Sequence, residues 1–111
     1  MSDEVLQLTD DNFEGEVLRF PDPVLVHFSA SWCHDSKGVT VMMREIASIF
    51  GSFARIGELD ADENPLVTRE WKISSLPTVI LFSRGQEKQR FMGLTKDVLE
   101  HALTCVVGDD G

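Results

Sequence analysis

The stretch Val24-Leu25-Val26-His27-Phe28-Ser29-Ala30-Ser31-Trp32-Cys33-His34-Asp35-Ser36 passes from a near-continuous apolar run into a polar turn that carries a cysteine. The run from Val24 to Phe28 is short and β-branched, the pattern of a strand buried on both faces. Beyond the turn, Val39, Met42, Met43, Ile46, Ile49 and Phe50 fall at the i, i+3, i+4, i+7 spacing of a helix, and Gly51 supplies its stop. Cys33 therefore lies where a buried strand gives way to the longest helix. Free backbone N–H groups and the helix dipole at such a place favour a thiolate. A polar turn of this kind predicts an accessible, reactive thiol; the alternative is a small apolar cysteine that fills space.

Working outward, Thr78-Val79-Ile80-Leu81-Phe82 reads as a second central strand, and a third run from Phe53 to Leu59 ends at Asp60-Ala61-Asp62-Glu63. A short first strand is expected around Val5-Leu6-Gln7-Leu8. Arg84-Gly85 makes a turn, after which Lys88 to Met92 pairs as an antiparallel edge strand. A first helix is predicted from Asp11 to Arg19, with Phe13 and Val17 on one face and Thr9, Asp10 or Asp11 as its cap, although Gly15 weakens it. Asn64 and Pro65 are the N-cap and first residue of a short helix reaching about Trp71. Val98, Leu99, Ala102, Leu103 and Val106 mark a last helix that begins near Thr95. The order β-α-β-α-β-α-β-β-α predicts one α/β domain over residues 1–111, with helices on both faces of a single sheet. No repeat or linker interrupts it.

Val26-His27-Phe28-Ser29-Ala30-Ser31-Trp32-Cys33, Asp62-Glu63-Asn64-Pro65, Ser75-Leu76-Pro77-Thr78 and Gly93 together resemble the thioredoxin family, and the resemblance spans nearly the whole chain. It implies the thioredoxin fold, a central mixed β-sheet flanked by helices on both faces. It also implies that Cys33 is the attacking cysteine and that Pro77 is the cis-proline facing it. Trp32, Leu76 and Gly93 then match further walls of a groove for an extended partner segment, beside His34 and Asp35. The competing readings are core packing for Trp32 and Leu76 and an ordinary loop position for Pro77.

Three positions depart from that family's pattern. Ser36 stands where a dithiol reductase has its second cysteine, and a hydroxyl cannot resolve a mixed disulfide, so an external thiol such as glutathione would have to do so. Ser36 either hydrogen-bonds the Cys33 sulfur or serves only as a helix-start residue. His27 stands where thioredoxins typically have a buried carboxylate, and Glu58 where many have a buried lysine. His27 is either a replacement base or a packed neutral side chain, and the two residues could face each other and tune the site. Asp35 raises and a protonated His34 lowers the pKa of a nearby thiol, so their joint effect has no sign from sequence.

Cys105 falls about 15 Å along the last helix, which the resemblance implies runs away from the active-site end, so a disulfide with Cys33 is not expected and Cys105 is expected to be structural. A metal held by Cys33, His34 and Asp35 is disfavoured because adjacent turn residues rarely converge. An iron–sulfur cluster shared with glutathione, as in monothiol glutaredoxins, is a minor alternative. No cofactor is expected beyond glutathione as an external thiol.

Nineteen acidic against ten basic residues give a net charge of −9, which opposes nucleic-acid binding and biases partners towards basic faces. No apolar stretch approaches a membrane span, and Met1-Ser2-Asp3-Glu4 has neither the basic nor the apolar part of an export signal. Two widely separated cysteines fit a reducing cytoplasm. The expected function is thiol–disulfide exchange by a monomer through Cys33, forming mixed disulfides with protein thiols, protein disulfides or glutathione, and impaired as a dithiol reductase. The alternative is a non-catalytic module that binds proteins through the same groove.

Overall fold

Five runs become strands: β1 (Leu6–Leu8), β2 (Val24–Ser29), β3 (Arg55–Asp60), β4 (Thr78–Ser83) and β5 (Gln86–Phe91). In the computed structural model, which describes the backbone of residues 5–93 and 95–110 and side chains as far as residue 106, they form one sheet in the order β1-β3-β2-β4-β5. The acidic start predicted over residues 1–4 lies outside the described residues. β1, β3 and β2 run parallel, whereas β4 and β5 are antiparallel additions. The two strands read as central, β2 and β4, are buried at every position, which explains their lack of polar alternation.

Side-chain parity divides the core. Leu25, Ile56, Val79 and Leu81 face Val39, Met43 and Ile46 of α1 (His34–Phe50) and Leu99 and Leu103 of α3 (Lys96–Asp110). Val26, Phe28, Ile80 and Phe82 face the other way, onto Phe13, Val17 and Val67 of α2 (Pro65–Glu70). The result is the expected thioredoxin fold, a mixed sheet with helices on both faces.

Local details differ from the sequence expectations. The first helix shrinks to a π-type turn, Glu14–Leu18. Thr9 and Asn12 bond each other's backbone N–H groups and hold the preceding segment as a polar turn, while Phe13 and Val17 still point inward. Ile49 and Val98 lie at the margins of their helical stripes and are exposed. Gly51 ends α1 without a left-handed turn. Asn64 sits at the N-cap of α2 but spends its side chain on Asp10 N–H and the Asp60 carbonyl. The cap comes instead from Asp10, assigned by sequence to the first helix, whose carboxylate accepts the N–H groups of Leu66 and Val67. β5 begins at Gln86 because Arg84 and Gly85, both at positive φ, close a two-residue hairpin turn. A Cβ on Gly85 would lie 2.6 Å from the Leu18 carbonyl oxygen, so that turn requires glycine.

Strand direction gathers the candidate residues. Phe28 pairs with Thr78, Val79 with Phe91 and Ser29 with Asp60, so the loops after β2, β3 and β5 and the loop before β4 all leave the same end of the sheet.

Candidate active site

Cys33 is the N-cap residue of α1, in extended conformation. Its N–H donates to the Ala30 carbonyl at 3.0 Å, which folds the turn back on itself, and the residue retains only 8% exposure. This corrects the expectation of an accessible thiol. It is Cys105 that lies exposed, which likewise corrects its reading as a structural cysteine; neither is in a disulfide.

Ser36 is buried in the first turn of α1 and its N–H donates to the Cys33 carbonyl at 3.2 Å. Its hydroxyl has no hydrogen-bond partner among the described residues, so the bond to the Cys33 sulfur is not made and its observed role is that of a helix-start residue.

Beside this turn, Asp35 and Val39 of α1 face Leu76, Pro77 and Gly93 across a cleft of about 470 Å³. Ser75 and Met92 complete its lining, with the Ser75 hydroxyl 3.4 Å from the Met92 sulfur. The Leu76–Pro77 peptide bond is cis. Leu76 also packs against the core, so its two sequence readings hold together. Trp32 does not line the cleft. It is 68% exposed, which excludes core packing as well, and its indole N–H donates to the Asp62 carboxylate at 2.6 Å. The family resemblance put it in the wall, and that bond turns it towards the loop after β3. His34 is exposed and does not line the cleft either.

Beneath α1, the cross-strand pair His27 and Glu58 meet, with Nδ1 3.2 Å from Oε1. His27 is fully buried, and its Nε2 has no hydrogen-bond partner among the described residues. Burial by itself pushes the Glu58 carboxyl up, but the hydrogen bond and charge of His27, the Thr40 hydroxyl at 3.1 Å and the charge of Arg44 together hold it below its ordinary value.

Sequence reasoning missed Val39, Met92 and Thr40 as site residues. Thr40 was within reach: it lies one helical turn beyond Ser36 and so shares its face. Met92 precedes Gly93 on a bend whose direction no local pattern encodes. Among the described residues no group of three or more His, Cys, Asp or Glu side chains could hold a metal ion, and no helix is long and apolar enough to cross a membrane. The arrangement is a shielded sulfur at a helix start, next to a mostly uncharged cleft with one carboxylate at its edge.

The thioredoxin family profile matches residues 4–104. The thioredoxin of Acidithiobacillus ferridurans is 38% identical over 86 residues, covering 78% of this chain and 80% of its own length. That of Mycobacterium tuberculosis is 39% identical over 103 residues, covering 92% and 89%. The bifunctional thioredoxin reductase/thioredoxin of Mycobacterium leprae is 41% identical over 88 residues, or 79% of this chain, which spans 19% of that longer protein.

Proposed function

This chain belongs to the thioredoxin family, and we propose that it performs thiol–disulfide exchange with a single working cysteine, Cys33. The carrying observation is that Cys33 opens α1 beside the Pro77 cleft while the next turn of the helix presents Ser36 and no second thiol. In the proposed cycle the Cys33 thiolate attacks a partner's disulfide, a new S–S bond forms to Cys33, and the other partner sulfur leaves as a thiolate. An external thiol of the glutathione type then releases the partner as a thiol and takes its place on Cys33. A second such thiol regenerates Cys33 and departs as the small disulfide, so two external thiols are oxidised for each partner disulfide reduced. Sulfur exchange of this kind requires no cofactor.

Leu76, Pro77, Met92 and Gly93 give an extended partner segment an apolar track, and Asp35 favours a basic residue beside the target cysteine. Trp32 and His34 are exposed on either side of Cys33 and would meet the flanks of a bound segment. His27 and Glu58 tune the surroundings from below. The protein would work as a monomer in the reducing cytoplasm, where external thiols are abundant.

The low exposure of Cys33 favours a second reading, a module that binds proteins through the cleft without exchange. A pull-down from cell extract without reductant separates the two. The unmodified chain and Cys105→Ser should retain partners that dithiothreitol releases, and Cys33→Ser should lose them. Retention of every partner by Cys33→Ser would replace the exchanger with the binding module.

A further inference from the structure

Arg90 of β5 ties together two segments that meet at the cleft. Its Nε and Nη2 donate to the two carboxylate oxygens of Glu87 at 3.0 and 2.8 Å, a two-pronged ion pair. Its remaining donors reach the end of α2, where Lys72, at a left-handed φ of 54°, carries the chain out of the helix. Nη1 donates to the Lys72 carbonyl at 3.2 Å and Nη2 to the Trp71 carbonyl at 2.8 Å, both past the last turn of the helix.

This geometry depends on an irregularity in the sheet. Residues three apart on a regular strand point to opposite faces. Here the β4–β5 register slips: Phe82 pairs with Glu87, Leu81 with Gln89 and Ile80 with Arg90, which leaves Lys88 as the extra residue. Phe82 and Ile80 lie on the same side of the sheet, in the half of the core against which Trp71 packs. The bulge therefore brings Glu87 and Arg90 onto one face, where the carboxylate aims the guanidinium at the end of α2.

The two clamped segments lead to two flanks of the cleft. Met92 and Gly93 follow Arg90 at the end of β5, and the loop from Lys72 runs through Ser75 to Leu76 and Pro77. The Ser75 hydroxyl, 3.4 Å from the Met92 sulfur, is a second and weaker tie between them. We propose that Arg90 is a positioning residue for disulfide exchange: by fixing the loop from Lys72 to Pro77 against the end of β5, it sets the spacing of Leu76 and Pro77 from Met92 and Gly93, and with it the grip on an extended partner segment. The inference rests on the reading of this cleft as the partner's track. Arg90 acts through the loop and not on the sulfur, so it governs capture and leaves the reactivity of Cys33 itself unchanged.

The test follows the attack of Cys33 on two disulfides that share one chromogenic leaving thiol, thionitrobenzoate. One is carried by an extended peptide with apolar residues and a lysine around its cysteine, the other by free cysteine. All measurements use the full-length Cys105→Ser chain, in which Cys33 is the sole thiol. The peptide should react with saturation kinetics and outpace the small disulfide. Arg90→Ala should raise the peptide's half-saturation concentration about three- to tenfold and leave its limiting rate and the small disulfide's rate constant unchanged, the pattern of lost binding without lost chemistry. Arg90→Lys keeps the charge but cannot hold the carboxylate and both carbonyls with one planar fork, so it should resemble Arg90→Ala. Glu87→Gln should shift the half-saturation concentration in the same direction by less, and it decides the matter should both Arg90 variants fold poorly. Equal slowing of both disulfides, an unchanged half-saturation concentration, or full rescue by Arg90→Lys would overturn the proposal. A Cys105→Ser chain that took the peptide no faster than the small disulfide would remove the partner-track reading itself, and the role of Arg90 with it.

Discussion

His27 Nδ1 stands 3.2 Å from Glu58 Oε1 across one rung of the β2–β3 ladder, and the Thr40 hydroxyl reaches the same oxygen from α1 at 3.1 Å. The arrangement stabilises the ionised carboxylate, and the folded Glu58 titrates below its ordinary value of 4.5. A depressed carboxylate pKa contributes stability that is fully present above the unfolded value and is lost as pH falls through the folded one. Glu58→Gln should therefore cost about 1 kcal/mol at pH 7, and its deficit should narrow as pH falls below about 4.5. Urea unfolding of both proteins at neutral and acidic pH checks this; a deficit independent of pH would show that charge is not what the pair contributes.

The Asp10 carboxylate holds the first turn of α2 through Leu66 N–H at 3.2 Å and Val67 N–H at 2.9 Å, and its own N–H donates to Asn64. Loss of a helix cap costs about 1 kcal/mol, and in a domain of this size that lowers the melting temperature by roughly 4 °C or somewhat more. Asp10→Ala should show that drop in a thermal melt followed by circular dichroism. An unchanged melting temperature would mean that water replaces the carboxylate without loss.

Exposure separates the two thiols by reagent size. Cys105 is exposed and should react with both iodoacetamide and a bulky maleimide, whereas Cys33, at 8% exposure, should discriminate strongly in favour of the smaller reagent. Peptide mapping at several times gives both rate ratios. Equal ratios at the two sites would mean that the Ala30–Cys33 turn opens freely in solution.

The chemistry of Ser36→Cys follows from its place in the first turn. Residues three apart at a helix start have Cα atoms about 5 Å from each other, within disulfide range. On mild oxidation this variant should form an intramolecular disulfide with Cys33 and gain reductase-coupled turnover of a disulfide substrate, while the unmodified chain shows none. Full turnover is not expected, because His27 and Glu58 leave the proton-transfer surroundings altered. Efficient turnover by the unmodified chain would require a resolving thiol from elsewhere.

Patterns of burial were legible in the sequence to different depths. The β-branched runs from Val24 and from Thr78 announced central strands, since a strand covered on both faces must be apolar throughout. The stripe through Val39, Met43 and Ile46 announced α1 by its period, and Arg84-Gly85 announced a turn. The margins of the stripes did not follow: Ile49 and Val98 fit the helical period, but only the width of the sheet decides how much of a helix is covered. The cleft was partly legible, with Asp35, Leu76, Pro77 and Gly93 lining one space. The direction of Trp32 was not legible, because it depends on Asp62, a residue of another loop.

Sequence alone was enough to locate the central strands and α1, to put Cys33 at a strand-to-helix junction, and to show that Ser36 offers it no second sulfur. These are properties of local composition and spacing, which one segment expresses without its neighbours. It took the folded chain to show that Asp10 caps α2, that Thr40 joins His27 and Glu58, that Cys33 is shielded while Cys105 is open, and that Lys88 bulges out of the β4–β5 pairing. Each of these depends on strand register or on loops meeting at one end of the sheet. Such contacts join residues far apart in the chain, and no local pattern carries the distance between them.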